Sequence, residues 1–158
     1  MIFPDKFICY SENYSTFEKF VPAPLFRRKF TAKTQKKAEL IITGLGFYRA
    51  FINETEITKG PLAPYISNPD DIVYYDTYGV SDLIVSGENA VSVILGNGLQ
   101  NNPGGYIWDF DKASFRSSPK VALNLVYKNA KNEEVVITST EAPIKEEPAE
   151  APKAEVVG

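Results

Sequence analysis

Two apolar segments separated by a short glycine break constrain the fold more than any other part of this 158-residue chain. In the first segment Ala38, Leu40 and Ile42 alternate with their neighbours, so they would lie on one face of a β-strand. After the break at residues 44–46, which contains Gly44 and Gly46, residues 47–52 have the same strand character. The pattern therefore predicts two strands of a hydrophobic core, joined through a kink at the glycines.

Further strand patterns lie on both sides of this pair. They are residues 25–30, 72–75, 91–95, 119–128 and 133–138. The last two segments flank a polar turn, which is typical of a β-hairpin. Ser81-Asp82-Leu83-Ile84 predicts a single helical turn with Ser81 as its N-cap. Together these elements predict an all-β protein built as an antiparallel β-sandwich.

The content of helix breakers agrees with this fold class. Eleven prolines and ten glycines suit a protein with many turns better than a helical bundle. We predict an extended lead-in over residues 1–22, packed on a sandwich domain over residues 23–139. Residues 140–158 are rich in Pro, Ala, Glu and Lys and cannot bury enough apolar surface to offset the entropy of ordering. A disordered tail is therefore predicted there.

Charge and rare residues exclude several classes of function. The net charge is −3 and no segment forms a basic stripe, so nucleic acid is not an expected partner. No segment reaches the length of a membrane span and the first residues lack a signal-peptide pattern, so a cytoplasmic protein is expected. The chain has no histidine and one cysteine. Most nucleophile–base pairs and His/Cys zinc sites are thereby excluded, and no metal or cofactor is predicted.

A set of short segments stands in an order and spacing that occur in a known family. The segments are Ala23-Pro24-Leu25-Phe26-Arg27-Arg28-Lys29-Phe30, residues 38–53, Leu62-Ala63-Pro64, residues 74–83, Gly87-Glu88-Asn89-Ala90 and Leu95-Gly96-Asn97-Gly98. Taken together they closely resemble the N-terminal β-sandwich domain of bacterial α-L-rhamnosidases of glycoside hydrolase family 78. The resemblance extends from about Ala23 to Thr138. It implies a jelly-roll sandwich of the galactose-binding-like type.

Three positions depart from the pattern of that family. The family usually has Ile-Asn-Gly at the hairpin and Asp-Val-Thr before the short helix. Here Glu54 and Gly79 stand at the glycine and aspartate positions, and Ser81 replaces the threonine. Gly79 lacks a side-chain acceptor, and Glu54 places a bulky residue in a tight turn. Neither residue is assigned a family role.

The resemblance also implies which partner the domain would have. In the family, further sandwiches and an (α/α)6 barrel follow, and the barrel carries the catalytic acid and base; no such barrel is present in this chain. We therefore expect a non-catalytic accessory domain, as a fragment or a truncated product, that supports the catalytic barrel and contacts rhamnosyl saccharide. A free-standing carbohydrate-binding module is the alternative.

A third hypothesis, a small hydrolase, depends on pairs of carboxylates. The candidate pairs are Asp70/Asp71, Asp109/Asp111 and Glu133/Glu134. Inverting glycoside hydrolysis needs two carboxyl groups roughly 6.5–9.5 Å apart in a sugar-binding cleft. Adjacent residues on a strand point to opposite faces, and the other pairs fall in turn-like segments. The pattern favours solvated surface charges over a catalytic pair.

The loop after residue 95 offers the side chains that a sugar-binding surface needs. Amides can bind hydroxyl groups, and flat rings can pack against the apolar face of a sugar. The candidate contacts for saccharide or a neighbouring domain are Asn97, Gln100, Asn101, Asn102, Tyr106 and Trp108. The other interpretation is that the rings close one end of the sandwich while the amides satisfy turn geometry. Both interpretations stay open at this point.

A cluster of tyrosines precedes the short helix. If residues 72–78 are extended, Tyr74 and Tyr78 share one face and Tyr75 lies on the other. Such rings are typical of a core or of a surface buried between domains.

Overall fold

Alternation of buried and exposed residues along the strands builds two layers. The computed structural model describes residues 2–33, 37–104 and 108–139. Its strands are β1 (Leu25–Ala32), β2 (Ala38–Leu45), β3 (Phe47–Ile52), β4 (Thr55–Glu56), β5 (Asp76–Gly79), β6 (Gly87–Gly96), β7 (Lys120–Lys128) and β8 (Glu134–Thr138). Two short 3-10 helices span Ser81–Leu83 and Phe110–Lys112. The predicted antiparallel β-sandwich is confirmed, whereas the predicted tail lies outside the described residues.

Each layer is a four-stranded antiparallel sheet. Sheet I has the strand order β1-β6-β3-β4, and sheet II has the order β5-β2-β7-β8. The core between them is aliphatic, with Leu40, Ile42, Val93, Leu95 and Leu125 at most 1% exposed. Among the described residues, no helix is long and apolar enough to cross a membrane.

The glycine break carries the chain from one sheet to the other. β2 belongs to sheet II and β3 to sheet I, so the predicted kink is a crossing between layers. Gly46 has a φ of +114°, a conformation that residues with a Cβ rarely adopt. A Cβ at Gly46 would also overlap the carbonyl oxygen of Gly96 in β6. The crossing therefore depends on glycine for both its conformation and its close approach.

A polar bridge joins the two sheets inside the core. Tyr48 of β3 is fully buried, and its hydroxyl donates to the carboxylate of Asp76 in β5. Because that bond uses its hydrogen, the hydroxyl of Tyr78 donates the second bond, with the two oxygens 3.0 Å apart. Burial, reinforced by these neighbours, raises the pKa of Tyr48 far above its usual range. Tyr48 thus stays a protonated donor.

The lead-in is bound to sheet II at two places. Ile8 exchanges two backbone hydrogen bonds with Val121 of β7, at 2.9 and 3.0 Å. The Asn124 side chain donates to the carbonyl of Ile2 at 3.1 Å. Ile41, on the outer face of β2, is the register partner of Asn124 and is only 1% exposed. The bounds of the lead-in and of the 23–139 domain stay predictions.

The strand predicted at residues 72–75 is wrong, because β5 begins at Asp76. The amide of Ile72 donates to the carbonyl of Asn68 at 3.0 Å, which closes a turn. The carbonyl of Tyr74 accepts from the hydroxyl of Thr43 at 2.7 Å. Side-chain and turn contacts therefore replace the backbone ladder before β5.

Ser81 has a different role from the predicted one. The helical turn exists as a 3-10 helix, Ser81–Leu83, but its N-cap position is Val80 and no side chain caps it. The Ser81 hydroxyl instead accepts from the amide of Ala38, the first residue of β2, at 2.9 Å. It joins the start of β2 to this turn.

Replacing Gly46 tests the crossing. We expect Gly46→Ala to lower the free energy of unfolding by at least about 2 kcal/mol, because it adds both steric overlap and backbone strain. Gly79→Ala is the matched control, since a Cβ there would meet nothing within 4 Å. Urea unfolding followed by tryptophan and tyrosine fluorescence measures both. Equal stability of the two variants would contradict this account.

Candidate functional site

Two asparagines of the family-like segments close one end of the sandwich. Asn53 stands in the turn between β3 and β4, and its side-chain amide donates to the carbonyl of Leu83 and to Oδ1 of Asn89, both at 2.8 Å. Its Oδ1 accepts from the amide of Ala90 at 2.8 Å. Asn53 thereby joins the hairpin, the first 3-10 helix and β6.

Asn89 completes this network from within β6. It is 2% exposed, and its amide donates to the carbonyls of Val85 and Gly87 at 2.8 and 3.0 Å. Its Oδ1 also accepts from the amide of Val85 at 2.9 Å. Since these polar atoms are occupied within the fold, the two asparagines have a structural role.

Two predicted contact residues in the loop after β6 bind the lead-in instead of facing outward. Asn101 is fully buried, and its Oδ1 accepts from the amide of Ser15 at 3.0 Å. Its amide donates to Oδ1 of Asn97 at 2.9 Å. Asn97 in turn donates to the carbonyl of Val21 at 2.7 Å. The two side chains attach the lead-in to the loop.

The remaining predicted contacts differ in exposure. Gln100 is 5% exposed and donates to the carbonyl of Phe115 and to the hydroxyl of Ser117. Asn102 is half-buried and accepts from the amide of Gly104 at 2.9 Å. Trp108 is 71% exposed. Tyr106 lies outside the described residues, and the role of the set in binding saccharide or a neighbouring domain stays a prediction.

The candidate carboxylate pairs are exposed and interact with neighbouring side chains on turns. Asp71 accepts from the side chain of Asn68 at 2.8 Å, and Asp109 pairs with Lys112 at 3.2 Å. Glu133 accepts from the side chain of Asn129 at 2.9 Å. Within the described ranges, no group of three or more His, Cys, Asp or Glu residues is placed to hold a metal ion.

The segment between β4 and β5 exposes apolar side chains that sequence reasoning did not single out as a set. We call them the crossing patch; they are Leu62, Tyr65, Ile66, Ile72, Tyr74 and Tyr75. Tyr65 is 81% exposed, and its ring meets that of Tyr74 edge-on at 6.3 Å. The Tyr75 ring meets Phe3 of the lead-in at 5.2 Å.

The tyrosines are therefore distributed differently from the prediction. Tyr78 is 8% exposed and bonds to Tyr48 between the sheets, whereas Tyr74 lies outside, in the crossing patch. The two do not share a face, because residues 72–75 are not part of a strand.

A small cleft adjoins the crossing patch. Its lining includes Pro64, Tyr65, Tyr74, Leu99 and Phe115, and its internal space is about 50 Å³. A space of that size holds a few water molecules or one inserted side chain. The patch thus combines exposed rings with a concave anchor point.

Comparison with known proteins places this geometry in a family. Residues 33–150 match the family model described as the α-L-rhamnosidase N-terminal domain. The chain belongs to that family. The resemblance seen in the sequence is therefore confirmed, and the motif asparagines of this rhamnosidase N-terminal domain are those that hold its fold together.

Individual relatives are much longer than this chain. It is 35% identical over 119 residues to an α-L-rhamnosidase of Formosa agariphila, covering 71% of this chain and 12% of that protein. The α-L-rhamnosidase of Streptomyces avermitilis, solved with L-rhamnose, superposes with a TM-score of 0.67 at 26% identity, covering 78% of this chain and 12% of that one.

The α-L-rhamnosidase of Dictyoglumus thermophilum superposes with a TM-score of 0.68 at 28% identity, covering 85% of this chain and 15% of that one. The chain thus spans 12–15% of the length of these three relatives. Those relatives are large rhamnosidases in which this domain accompanies others, and their catalytic portion is not matched.

The loop residues can be tested by comparing a buried amide with an exposed ring. We expect Asn101→Ala to lower the free energy of unfolding by about 1–3 kcal/mol, because it leaves the Ser15 amide and Asn97 without their partner. Trp108→Ala should change it by less than about 0.5 kcal/mol, because that side chain is largely exposed. Urea unfolding followed by far-UV circular dichroism measures both. The reverse order of stabilities would contradict the structural role of Asn101.

Proposed function

We propose that this chain is a non-catalytic accessory domain of an α-L-rhamnosidase-like glycoside hydrolase and packs against the catalytic barrel of that enzyme. The observation that carries the proposal is the crossing patch. Contiguous apolar surface on a folded domain often marks an interaction site, and on this segment the exposed rings of Tyr65 and Tyr74 are in contact. Aromatic residues such as Tyr65 and Tyr74 are enriched at protein interfaces.

The form of the patch supports a protein neighbour. Tyr65, Ile66 and Tyr74 also line the small cleft, which would accept one side chain of the partner as an anchor. The charged residues Asp70 and Asp71 stand in the same segment and would form part of a polar rim. In the relatives, the matched region accompanies other domains, so a neighbour of this kind exists there.

The placement of the carboxylates supports a non-catalytic role. A glycosidase needs one carboxyl group kept protonated in a cleft beside an ionised one. Here Asp71 and Asp109 are exposed and are bound to Asn68 and Lys112. Such a setting provides no shielded site for a sugar ring between two acids.

A hydrolysis assay tests the non-catalytic part of the proposal. We expect the purified chain to release no nitrophenol from an aryl α-L-rhamnoside above the rate in buffer, because the described candidate carboxylates such as Asp71 and Asp109 are exposed on turns and bound to neighbouring side chains. Continuous absorbance measurement at high protein concentration gives the rate. Turnover that disappears in Asp109→Asn or Asp111→Asn would show that the chain is itself an enzyme.

A chimera tests the docking surface. In the Formosa agariphila enzyme, the matched 119 residues are replaced by the corresponding region of this chain. We expect the chimera to cleave aryl α-L-rhamnosides. Adding Tyr65→Ser and Ile66→Ser should shorten its half-life of thermal inactivation severalfold, because the interface loses apolar contact.

The matched control replaces exposed apolar residues outside the patch. Val85 and Trp108 are 54% and 71% exposed, so Val85→Ser and Trp108→Ser remove comparable exposed apolar surface. This control should leave the half-life unchanged. If both double variants inactivate at the same rate, the crossing patch is not the docking surface.

A further inference from the structure

The outer face of sheet I carries an open groove that no sequence motif indicated. Its volume is about 550 Å³, and it runs along β6 between side chains of β1 and β3. Its lining includes Arg27, Phe51, Glu54, Ala90, Ser92 and Ile94. Ligand sites in proteins have volumes of about 300–1,000 Å³, so the groove is large enough to hold a small molecule.

Strand register creates the groove. Arg27 of β1 and Phe51 of β3 both pair with Ser92 of β6, so two long side chains flank a short one. Ala90, two residues earlier on β6, points to the same face and is also small. The small residues Ala90 and Ser92 therefore form the floor of the groove. The guanidinium of Arg27 forms one wall, and the ring of Phe51 forms the other.

The walls retain polar groups that the fold leaves available. The side chains of Arg27, Ser92 and Glu54 make no hydrogen bond or ion pair with the residues described in 2–33, 37–104 and 108–139. Neighbouring charges on the same sheet are paired, with Lys29 3.0 Å from Glu88. Among the described residues that line it, the groove thus offers a ligand the guanidinium of Arg27, the carboxylate of Glu54 and the hydroxyl of Ser92.

The aromatic wall is held in position by an ion pair. The Arg49 guanidinium binds Glu56 through two hydrogen bonds, at 2.8 and 2.5 Å. The same guanidinium lies 5.6 Å from the centroid of the Phe51 ring. A half-buried ring held in this way is a suitable stacking surface, because little rotamer freedom is lost on binding.

Glu54 occupies a strained position on the rim of the groove. Asn53 and Glu54 form the turn between β3 and β4, with φ values of 47° and 70°. Glycine adopts this left-handed conformation without the steric cost that a side chain incurs there. A glutamate in this conformation lowers the stability of the turn. A non-glycine residue that keeps such a strained backbone conformation suggests that its side chain has a function.

We propose that this groove binds a neutral oligosaccharide. Sugar hydroxyl groups both donate and accept, so they can satisfy Glu54 and Arg27 at the same time. The Phe51 ring can cover an apolar sugar face. The charges of Arg27 and Glu54 have opposite sign. Glu54 would therefore repel a strongly anionic ligand, and Arg27 would repel a cationic one. The site is separate from the crossing patch and does not depend on the proposed docking.

The test begins with the full chain on an array of neutral and uronate-containing oligosaccharides. The tightest neutral binder is then titrated into ¹⁵N-labelled protein. We expect saturable shifts at the amides of Phe51, Ala90 and Ser92. The proposal is wrong if no neutral oligosaccharide binds, if uronate-containing ones bind more tightly, or if the shifts centre on Trp108.

Variants separate binding from folding. Glu54→Gly should weaken binding about tenfold while the melting temperature stays the same or rises, because glycine relieves the left-handed strain. Arg27→Gln, at an exposed and unpaired side chain, should also weaken binding about tenfold without unfolding the domain. Unchanged affinity in both variants, measured by isothermal titration calorimetry, would overturn the proposal.

The matched control is Asn132→Gly in the turn between β7 and β8. Asn132 also has a left-handed φ of 64°, but it stands in the hairpin of sheet II, away from the groove. This variant should retain the affinity of the unmodified chain. An equal loss of affinity in Asn132→Gly and Glu54→Gly would attribute the effect to turn stability and would refute a contact by Glu54.

Discussion

The arrangement of the two sheets depends on the hydrogen bonds of the Tyr48 hydroxyl. A buried hydroxyl must find partners, and the partners of Tyr48 are Asp76 and Tyr78 on β5, a strand at the edge of the opposite sheet. The amide of Tyr48 also donates to the carbonyl of Ala63 at 2.7 Å, which fixes the start of the segment leading to β5. A single core residue therefore positions both the short edge strand and the segment that carries the exposed rings.

Patterns within one strand were sufficient to predict most of the fold. Alternation in β2 and β3, with the glycines between them, predicted two core strands, and the hairpin of β7 and β8 followed from its polar turn. The prediction was wrong at Ile72 and Tyr74, because apolar residues after a turn resemble a strand in sequence although here they form an exposed surface. The partners of Asn53 could not be predicted either, since the carbonyl of Leu83 lies 30 residues away along the chain.

Contacts between residues distant along the chain also limited the prediction of the candidate sites. Asn101 looks in sequence like any polar loop residue, and its burial depends on a bond to Ser15, which is 86 residues distant. The groove on sheet I depends on register, because Arg27 and Phe51 become neighbours only when both pair with Ser92. Glu54 was the informative exception. The sequence showed that Glu54 departs from the family pattern, but it did not show that Glu54 lies on the rim of the groove on sheet I.

The lead-in across sheet II gives the domain two unlike sides. Ile2 of the lead-in contacts Asn124 on one outer face, whereas the other outer face presents exposed side chains such as Arg27 and Ile94 to water. Ile41 on the face that Ile2 contacts is only 1% exposed, so sheet II does not require a second protein to cover it. In the proposed roles, a neighbouring domain would contact the crossing patch and an oligosaccharide would contact the open sheet, so docking and binding would use different residues.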